Sequence, residues 1–277
     1  MRKFERLYQI LLEQNVICER QVLMPVKASK DLLTEAVHTK DYIEDFFNGW
    51  TDEKAQRKTG FVWSEGLVSR CRYETGGTVL TAEAALQCGL ACSTAGGTHH
   101  AFPAYGAGYC LFNDIAVAAK YLILRNKVSR VLVIDLDVHQ GDGTAFIFKD
   151  DPAVFTFSVH CGKNFPLFKQ QSDLDISLNC GTGNADYMDV IQHNLPWIFQ
   201  TFRPDLVIYD AGVDPHKEDL LGQLALTDEG LFKRDYWVIN YSITCGCPCA
   251  CLIGGGYDKS VDKLALRHSI LHRAATK

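Results

Sequence analysis

Apolar positions change their period repeatedly along the chain. Phe4, Leu7, Tyr8, Leu11 and Leu12 recur at helical spacing, so the sequence opens with an amphipathic helix. Further helices are predicted over 40–48, closed by Gly49, over 81–88, ending at Gly89, and over 113–125. Val131-Leu132-Val133-Ile134-Asp135 is apolar, β-branched and unalternating, the pattern of a parallel strand buried on both faces. The same pattern returns at 154–159, 206–209 and 250–253. Helical stretches over 187–202, 228–244 and 260–272 lie between or after these strands, and Pro196 is expected to bend or interrupt the first.

This alternation predicts a single-domain α/β fold over residues 1–277, an open parallel sheet flanked by helices and joined by right-handed crossovers. No repeat, linker or compositional break divides it. With 28 basic and 33 acidic side chains the formal charge is −5, and no basic face argues for direct nucleic-acid binding. No run of roughly 18 apolar residues predicts a membrane span. Residues 1–6 lack the apolar core of a signal peptide, so a cytoplasmic protein is expected, with nuclear access open if the source is eukaryotic. Eleven cysteines without an export signal read as reduced thiols. Cys245, Cys247, Cys249 and Cys251 alternate, which would suit a soft metal. Their spacing is shorter than paired zinc ligands use, so packing on a sheet is the reading taken.

Ligand sites of such sheets lie beyond the carboxyl ends of the strands, and polar residues gather there. Asp135-Leu136-Asp137-Val138-His139-Gln140-Gly141-Asp142-Gly143 follows one strand, Asp210-Ala211-Gly212-Val213-Asp214 a second and Gly254-Gly255-Gly256-Tyr257 a third. Upstream, Gly97-Thr98-His99-His100 follows a small-residue stretch that could end another. Alternation sends Asp137 and His139 to one side, and Asp214 could join them from a neighbouring strand. Two carboxylates and one imidazole leave a coordination position for water, as catalytic zinc requires. A string of Asp, Gly and His alone would read as a turn cluster. Four such segments together do not.

These segments, with Glu74-Thr75-Gly76-Gly77-Thr78 and Gly108-Tyr109-Cys110-Leu111-Phe112-Asn113-Asp114, resemble the zinc-dependent histone deacetylase family, most closely its class IV branch and bacterial relatives. The resemblance covers nearly the whole chain and implies the arginase/deacetylase fold, one catalytic Zn2+ and hydrolysis of an acyl group from a lysine side chain. Carried over position by position, Asp137, His139 and Asp214 would be zinc ligands. His99 and His100 would be tandem active-site histidines with Asp135 and Asp142 as their acidic partners, His100 as general base and His99 as an electrostatic group. Tyr257 would stabilise the oxyanion. A structural K+ would sit at Asp135, Ser158 and the backbone of Val159, beside Asp137 and His139. Tyr109 and Phe165 would wall the substrate tunnel, with Gly108 and Gly255 lining it.

Other histidines receive structural readings. His38 and His160 are expected to be structural, His193, His268 and His272 solvated on helices, and His216 at the rim. Tyr105 is also placed at the rim. In the family a strand and a short motif precede the point where this sequence starts, so either an upstream start was missed or the sheet lacks an edge strand. The expected partner is an acyl-lysine protein or an acylated small molecule, and no oligomeric state is legible. The rival enzyme reading is an acetylpolyamine hydrolase, for which Glu218 and Asp219 would supply an acidic mouth. A non-catalytic acyl-lysine-binding scaffold is disfavoured by the complete proton-transfer set. An arginase-like two-metal site is disfavoured by the separation of Asp210 from Asp214.

Overall fold

The computed structural model describes residues 2–277. Helices α1 (Arg2–Glu13), α2 (Lys30–Ala36), α3 (Lys40–Asn48), α4 (Glu53–Thr59) and α5 (Glu65–Cys88) precede the first strand, β1 (Leu90–Cys92). Then follow α6 (Asp114–Leu124), β2 (Val131–Asp135), α7 (Asp142–Phe148), β3 (Val154–Cys161), β4 (Leu174–Leu178), α8 (Asn184–Phe202), β5 (Leu206–Asp210), α9 (Asp228–Thr244), β6 (Cys249–Leu252) and α10 (Val261–Ala274). All strand pairs are parallel, in the order β1-β6-β5-β2-β3-β4.

The centre of the sheet explains its sequence. In β2 every residue is buried, and alternate side chains serve opposite faces. Leu132 and Ile134 join a core built with α1, α8, α9 and α10. Val131 and Val133 join a second core with α2, α3, α5 and α6. The edge strands carry weaker signals. β1 has three half-buried residues and β4 mixes half-buried with exposed ones, so neither yields the apolar run that marks an interior strand.

The structure departs from the sequence expectations at three places. The helix predicted at 81–88 is the last third of α5, which runs on through Gly76-Gly77, residues that disfavour a helix interior. The segment before α2 passes so close to α5 that a Cβ on Gly76 would collide with the Val26 carbonyl, and glycine is what fits. Pro196 does not interrupt α8, which runs unbroken through it. His268 and His272 are buried rather than solvated, because the face of α10 that carries them packs against the rest of the protein. His193 is exposed as expected.

His38 shows how a buried imidazole fixes a neutral form. Its Nε2 accepts from the backbone N–H of Asn113 at 3.0 Å, and its Nδ1 lies 3.3 Å from the Pro103 carbonyl. Burial pushes its pKa down to about 4, only partly offset by the Pro103 and Phe102 carbonyls. Unfolded histidine titrates near 6.5, so between pH 6.5 and 4 the unfolded chain takes up a proton that the folded chain refuses. Stability is then lost as pH falls through that window, by roughly 3 kcal/mol for this residue. His38→Gln is expected to flatten the pH dependence of the urea midpoint between pH 6.5 and 4, and an unaltered slope would contradict it.

Candidate active site

The strand order reverses at β2. The chain moves outward through β3 and β4, then returns to place β5 on the other side of β2 and β6 beyond it. A crevice opens at such a switch point, beyond the carboxyl ends. The loops after β2, β5 and β6 meet there.

Asp137, His139 and Asp214 bring one ligand atom each within 4.8 Å of the others, and all three are buried. His139 Nδ1 lies 3.0 Å from Asp137 Oδ1 and 3.2 Å from Asp214 Oδ2. The backbone orients the remaining carboxylate oxygens, with Val138 N–H donating to Asp214 Oδ1 at 2.8 Å and Gly255 N–H to Asp137 Oδ2 at 2.8 Å. Asp214 Oδ2 receives no hydrogen bond among the described residues. A Cβ on Gly255 would collide with Asp137 Oδ2 and Asp214 Oδ2, so glycine keeps the space between the carboxylates open. Burial and the Asp137 charge push the Asp214 carboxyl up to about 7, while Asp137 and Asp214 overcome desolvation and raise His139 to about 10. Concentrated buried negative charge with an orphaned oxygen and a nitrogen donor fits a divalent cation such as zinc.

Two imidazoles flank this cluster. His99 Nδ1 is 2.8 Å from Asp135 Oδ2, and His100 Nδ1 is 2.7 Å from Asp142 Oδ1. Their rings lie 4.1 Å apart. Burial opposes charge on both. At His99, Asp135, Asp137 and Asp210 outweigh burial and raise the pKa well above the usual range. At His100, burial and the His99 charge lower it to about 4, although Asp142 pulls the other way. One histidine is therefore held charged and the other neutral.

The loop bearing them is fastened to α6. The Asp114 carboxylate accepts from Gly97 N–H at 3.1 Å and Thr98 N–H at 2.8 Å. Asn113 caps α6 by accepting from Ala116 N–H, while its amide donates to the carbonyls of His99 and Ala101.

A cavity of about 340 Å3 is lined by His99, His100, Asp137, Gly108, Tyr109, Gly255 and Tyr257. The Phe165 ring stands edge-on to His100 at 4.8 Å. Tyr109 lies 5.8 Å from Tyr257, and the Tyr257 ring lies 6.2 Å from His139. Tyr109 and Phe165 are nearly half exposed, as residues of a mouth would be. Gly108 sits so close to His100 and Phe165 that a Cβ would press on both. Burial and the Asp137 and Asp214 charges raise the Tyr257 phenol well above its usual range, so it stays protonated.

Against known proteins, the family model described as "Histone deacetylase domain" matches residues 1–272. The chain belongs to the histone deacetylase family. It is 51% identical over 275 residues to an uncharacterized protein of Picosynechococcus, covering 99% of this chain and 91% of that one. It is 30% identical to histone deacetylase 2 of Arabidopsis thaliana, covering 93% and 69%, and 36% identical to a probable deacetylase of Methanothermobacter thermautotrophicus, covering 79% and 68%. The crystal structure of a histone deacetylase homolog from Aquifex aeolicus superposes with a TM-score of 0.82 at 26% identity, covering 98% of this chain and 77% of that one.

Within this histone deacetylase fold several residues take places that sequence reasoning did not give them. Asp219 does not face the mouth. Its carboxylate accepts from the backbone N–H groups of Tyr257 at 2.7 Å and of Leu221 and Gly222 at 2.9 Å, fixing the turn that presents Tyr257. Glu218 pairs with Lys263 at 2.9 Å and Arg267 at 3.1 Å. His216 is buried, accepting from Glu218 N–H, and is not at the rim. Asp210 joins His99 and Asp135 in a second buried group, and neither of its oxygens has a hydrogen-bond partner among the described residues. Arg234 is fully buried and donates to the carbonyls of Leu136, Ala211 and Gly212, tying together the two loops that carry Asp137 and Asp214. Lys3 brings its ammonium to 3.4 Å from the Gly254 carbonyl.

Tyr105 is exposed, as a rim residue would be. Ser158 lies opposite Asp135 in the β2–β3 register and bonds His160 Nδ1 at 3.0 Å. The four alternating cysteines are free thiols, and Cys249 and Cys251 pack inside β6.

The Asp219 brace is testable. Asp219→Ala is expected to lower kcat, by less than the about 100-fold to 1,000-fold that loss of an oxyanion donor itself costs, with metal content and KM little changed. Unchanged kcat would show that Tyr257 is held without it.

Proposed function

We propose that this protein is a zinc-dependent hydrolase that removes an acetyl or longer acyl group from a lysine side chain of a protein. The observation that carries this reading is the convergence of Asp137, His139 and Asp214 on one point, with the two histidine–aspartate pairs and Tyr257 around the same cavity. Bound there by these three side chains, zinc would supply Lewis acidity toward the amide carbonyl and toward water.

The chain's own residues carry the proton movements. Asp142 keeps the Nδ1 proton of His100 in place, which leaves Nε2 unprotonated as the acceptor of the water proton. The same nitrogen then donates to the leaving lysine amine. His99, held as a cation by Asp135, contributes positive charge beside the developing oxyanion. The Tyr257 hydroxyl donates to that oxyanion. Tyr109 and Phe165 enclose the lysine stem and keep bulk water from it, with Gly108 and Gly255 giving room for close approach. A K+ at Asp135, Ser158 and the Val159 carbonyl would set the loop that carries Asp137 and His139.

The acetylpolyamine reading weakens because the two carboxylates that would attract a polycation are already engaged, Glu218 by Lys263 and Arg267 and Asp219 by backbone N–H groups. Eleven free cysteines suit a reducing, cytoplasmic setting, and no helix among the described residues is long and apolar enough to cross a membrane. The test is a zinc-loaded assay with acetyl-lysine peptide, myristoyl-lysine peptide and acetylspermidine, beside Tyr257→Phe. Peptide deacylation reduced about 100-fold to 1,000-fold in the variant is expected. Turnover of acetylspermidine alone would transfer the reading to small amines, and equal turnover by the variant would remove Tyr257 from its role.

A further inference from the structure

β3 ends on Cys161, and the turn after β4 carries Cys180, 19 positions further on. Their sulfurs lie 3.7 Å apart. The parallel pairing of β3 with β4 creates this proximity, because it sets Cys161 beside Leu178 at the carboxyl edge of the sheet. Both are free thiols, Cys180 exposed and Cys161 buried. Among the described residues Cys251 also meets two sulfurs, buried Cys249 at 3.6 Å on its own strand and half-buried Cys92 across the β1–β6 pairing. Only the Cys161–Cys180 pair includes an exposed sulfur.

We propose that Cys161 and Cys180 are a modification site that forms a reversible disulfide, with a peroxide as oxidant. Hydrogen peroxide oxidises the exposed Cys180 thiol to a sulfenic acid and releases one water. The Cys161 sulfur attacks that sulfur, the S–O bond breaks, and a second water leaves with the Cys161 proton. Two thiols and one peroxide thus give one disulfide and two waters. The sulfurs must close from 3.7 Å to about 2.05 Å, which side-chain rotation at the exposed Cys180 supplies. A dithiol reverses the bond by exchange.

The bond would act on the active site through Gln223. In the reduced protein the Cys180 thiol donates to Gln223 Oε1 at 3.0 Å. The Gln223 backbone N–H donates to Asn164 Oδ1 at 3.1 Å, and the Asn164 side-chain amide donates to the Leu221 carbonyl at 2.6 Å. The Phe165 loop and the Asp219 loop therefore meet at this point, and Asp219 holds Tyr257. Disulfide formation removes the thiol donor from the Gln223 side chain and shifts the Cys180 turn, whose Gly181 N–H donates to the Gln223 carbonyl at 2.8 Å beside that junction.

The test treats zinc-loaded protein with graded hydrogen peroxide, alkylates the remaining thiols and maps the peptides. A linked peptide joining 161 to 180, lighter by two hydrogens and cleared by dithiothreitol, is expected before Cys249 and Cys251 react. Turnover should fall several-fold with the linkage and recover on reduction. Cys180→Ser keeps a hydroxyl donor for Gln223, so it should match the untreated protein and resist the oxidant. No 161–180 linkage at doses that modify Cys18, Cys88 or Cys245 would overturn the site. Equal loss in Cys180→Ser, or full turnover by linked protein, would overturn its effect on the active site. The mapping reads the bond whatever substrate the enzyme takes.

Discussion

His100→Ala is expected to lower kcat by about two to four orders of magnitude near neutral pH, the range that a positioned general base contributes. The expectation follows from geometry and charge together. Asp142 occupies the Nδ1 side of the ring at 2.7 Å, so the other nitrogen is the one free for the reacting groups. Burial and the neighbouring His99 cation hold the ring neutral, with a pKa of about 4, so the acceptor is available without prior loss of a proton. Metal content and KM should change little, because the ring is not among the three converging donors. His99→Ala tests the division of labour between the two rings. If His99→Ala alone abolished turnover and His100→Ala retained it, the base would be the ring that Asp135 holds.

Asp214→Asn carries the second large effect. The substitution keeps the shape of the side chain and its Oδ1 acceptor for Val138 N–H, but removes the negative charge beside His139. Loss of an outer partner of a metal site costs about 10-fold to 100-fold in affinity, and loss of a direct donor should exceed that. After dialysis against micromolar zinc, the wild type is expected to retain one ion per chain and the variant far less than one, with deacylation below detection. Thermal unfolding of the zinc-free forms provides the control for folding, since both should still melt cooperatively. A variant that kept one zinc per chain would show that Asp214 is not a ligand.

The parts of this protein written by local sequence were legible, and those set by distant contacts were not. β2 announced itself because every residue from Val131 to Asp135 is buried, so burial on both faces left no polar interruption. The edge strands β1 and β4 carry no such run, and the length of α5 was hidden because Gly76, inside it, owes its identity to a segment some 50 residues earlier. The candidate site was legible because its donors follow strand ends in short strings, and β2, β5 and β6 bring those ends together. Asp219 was misassigned because an acidic residue near a mouth looks free until the backbone N–H of Tyr257, 38 positions on, occupies it. His268 and His272 were misassigned for a related reason, since nothing in α10 itself says which of its faces will be covered.

The central claim is that one divalent ion is held by two carboxylates and one imidazole, and X-ray absorption at the zinc edge reads this directly. The zinc-loaded protein is expected to show only nitrogen and oxygen neighbours at about 2.0–2.2 Å, with the imidazole signal lost in His139→Ala. A shell at about 2.3 Å, the distance of zinc to sulfur, would place the ion among the cysteines and contradict the account.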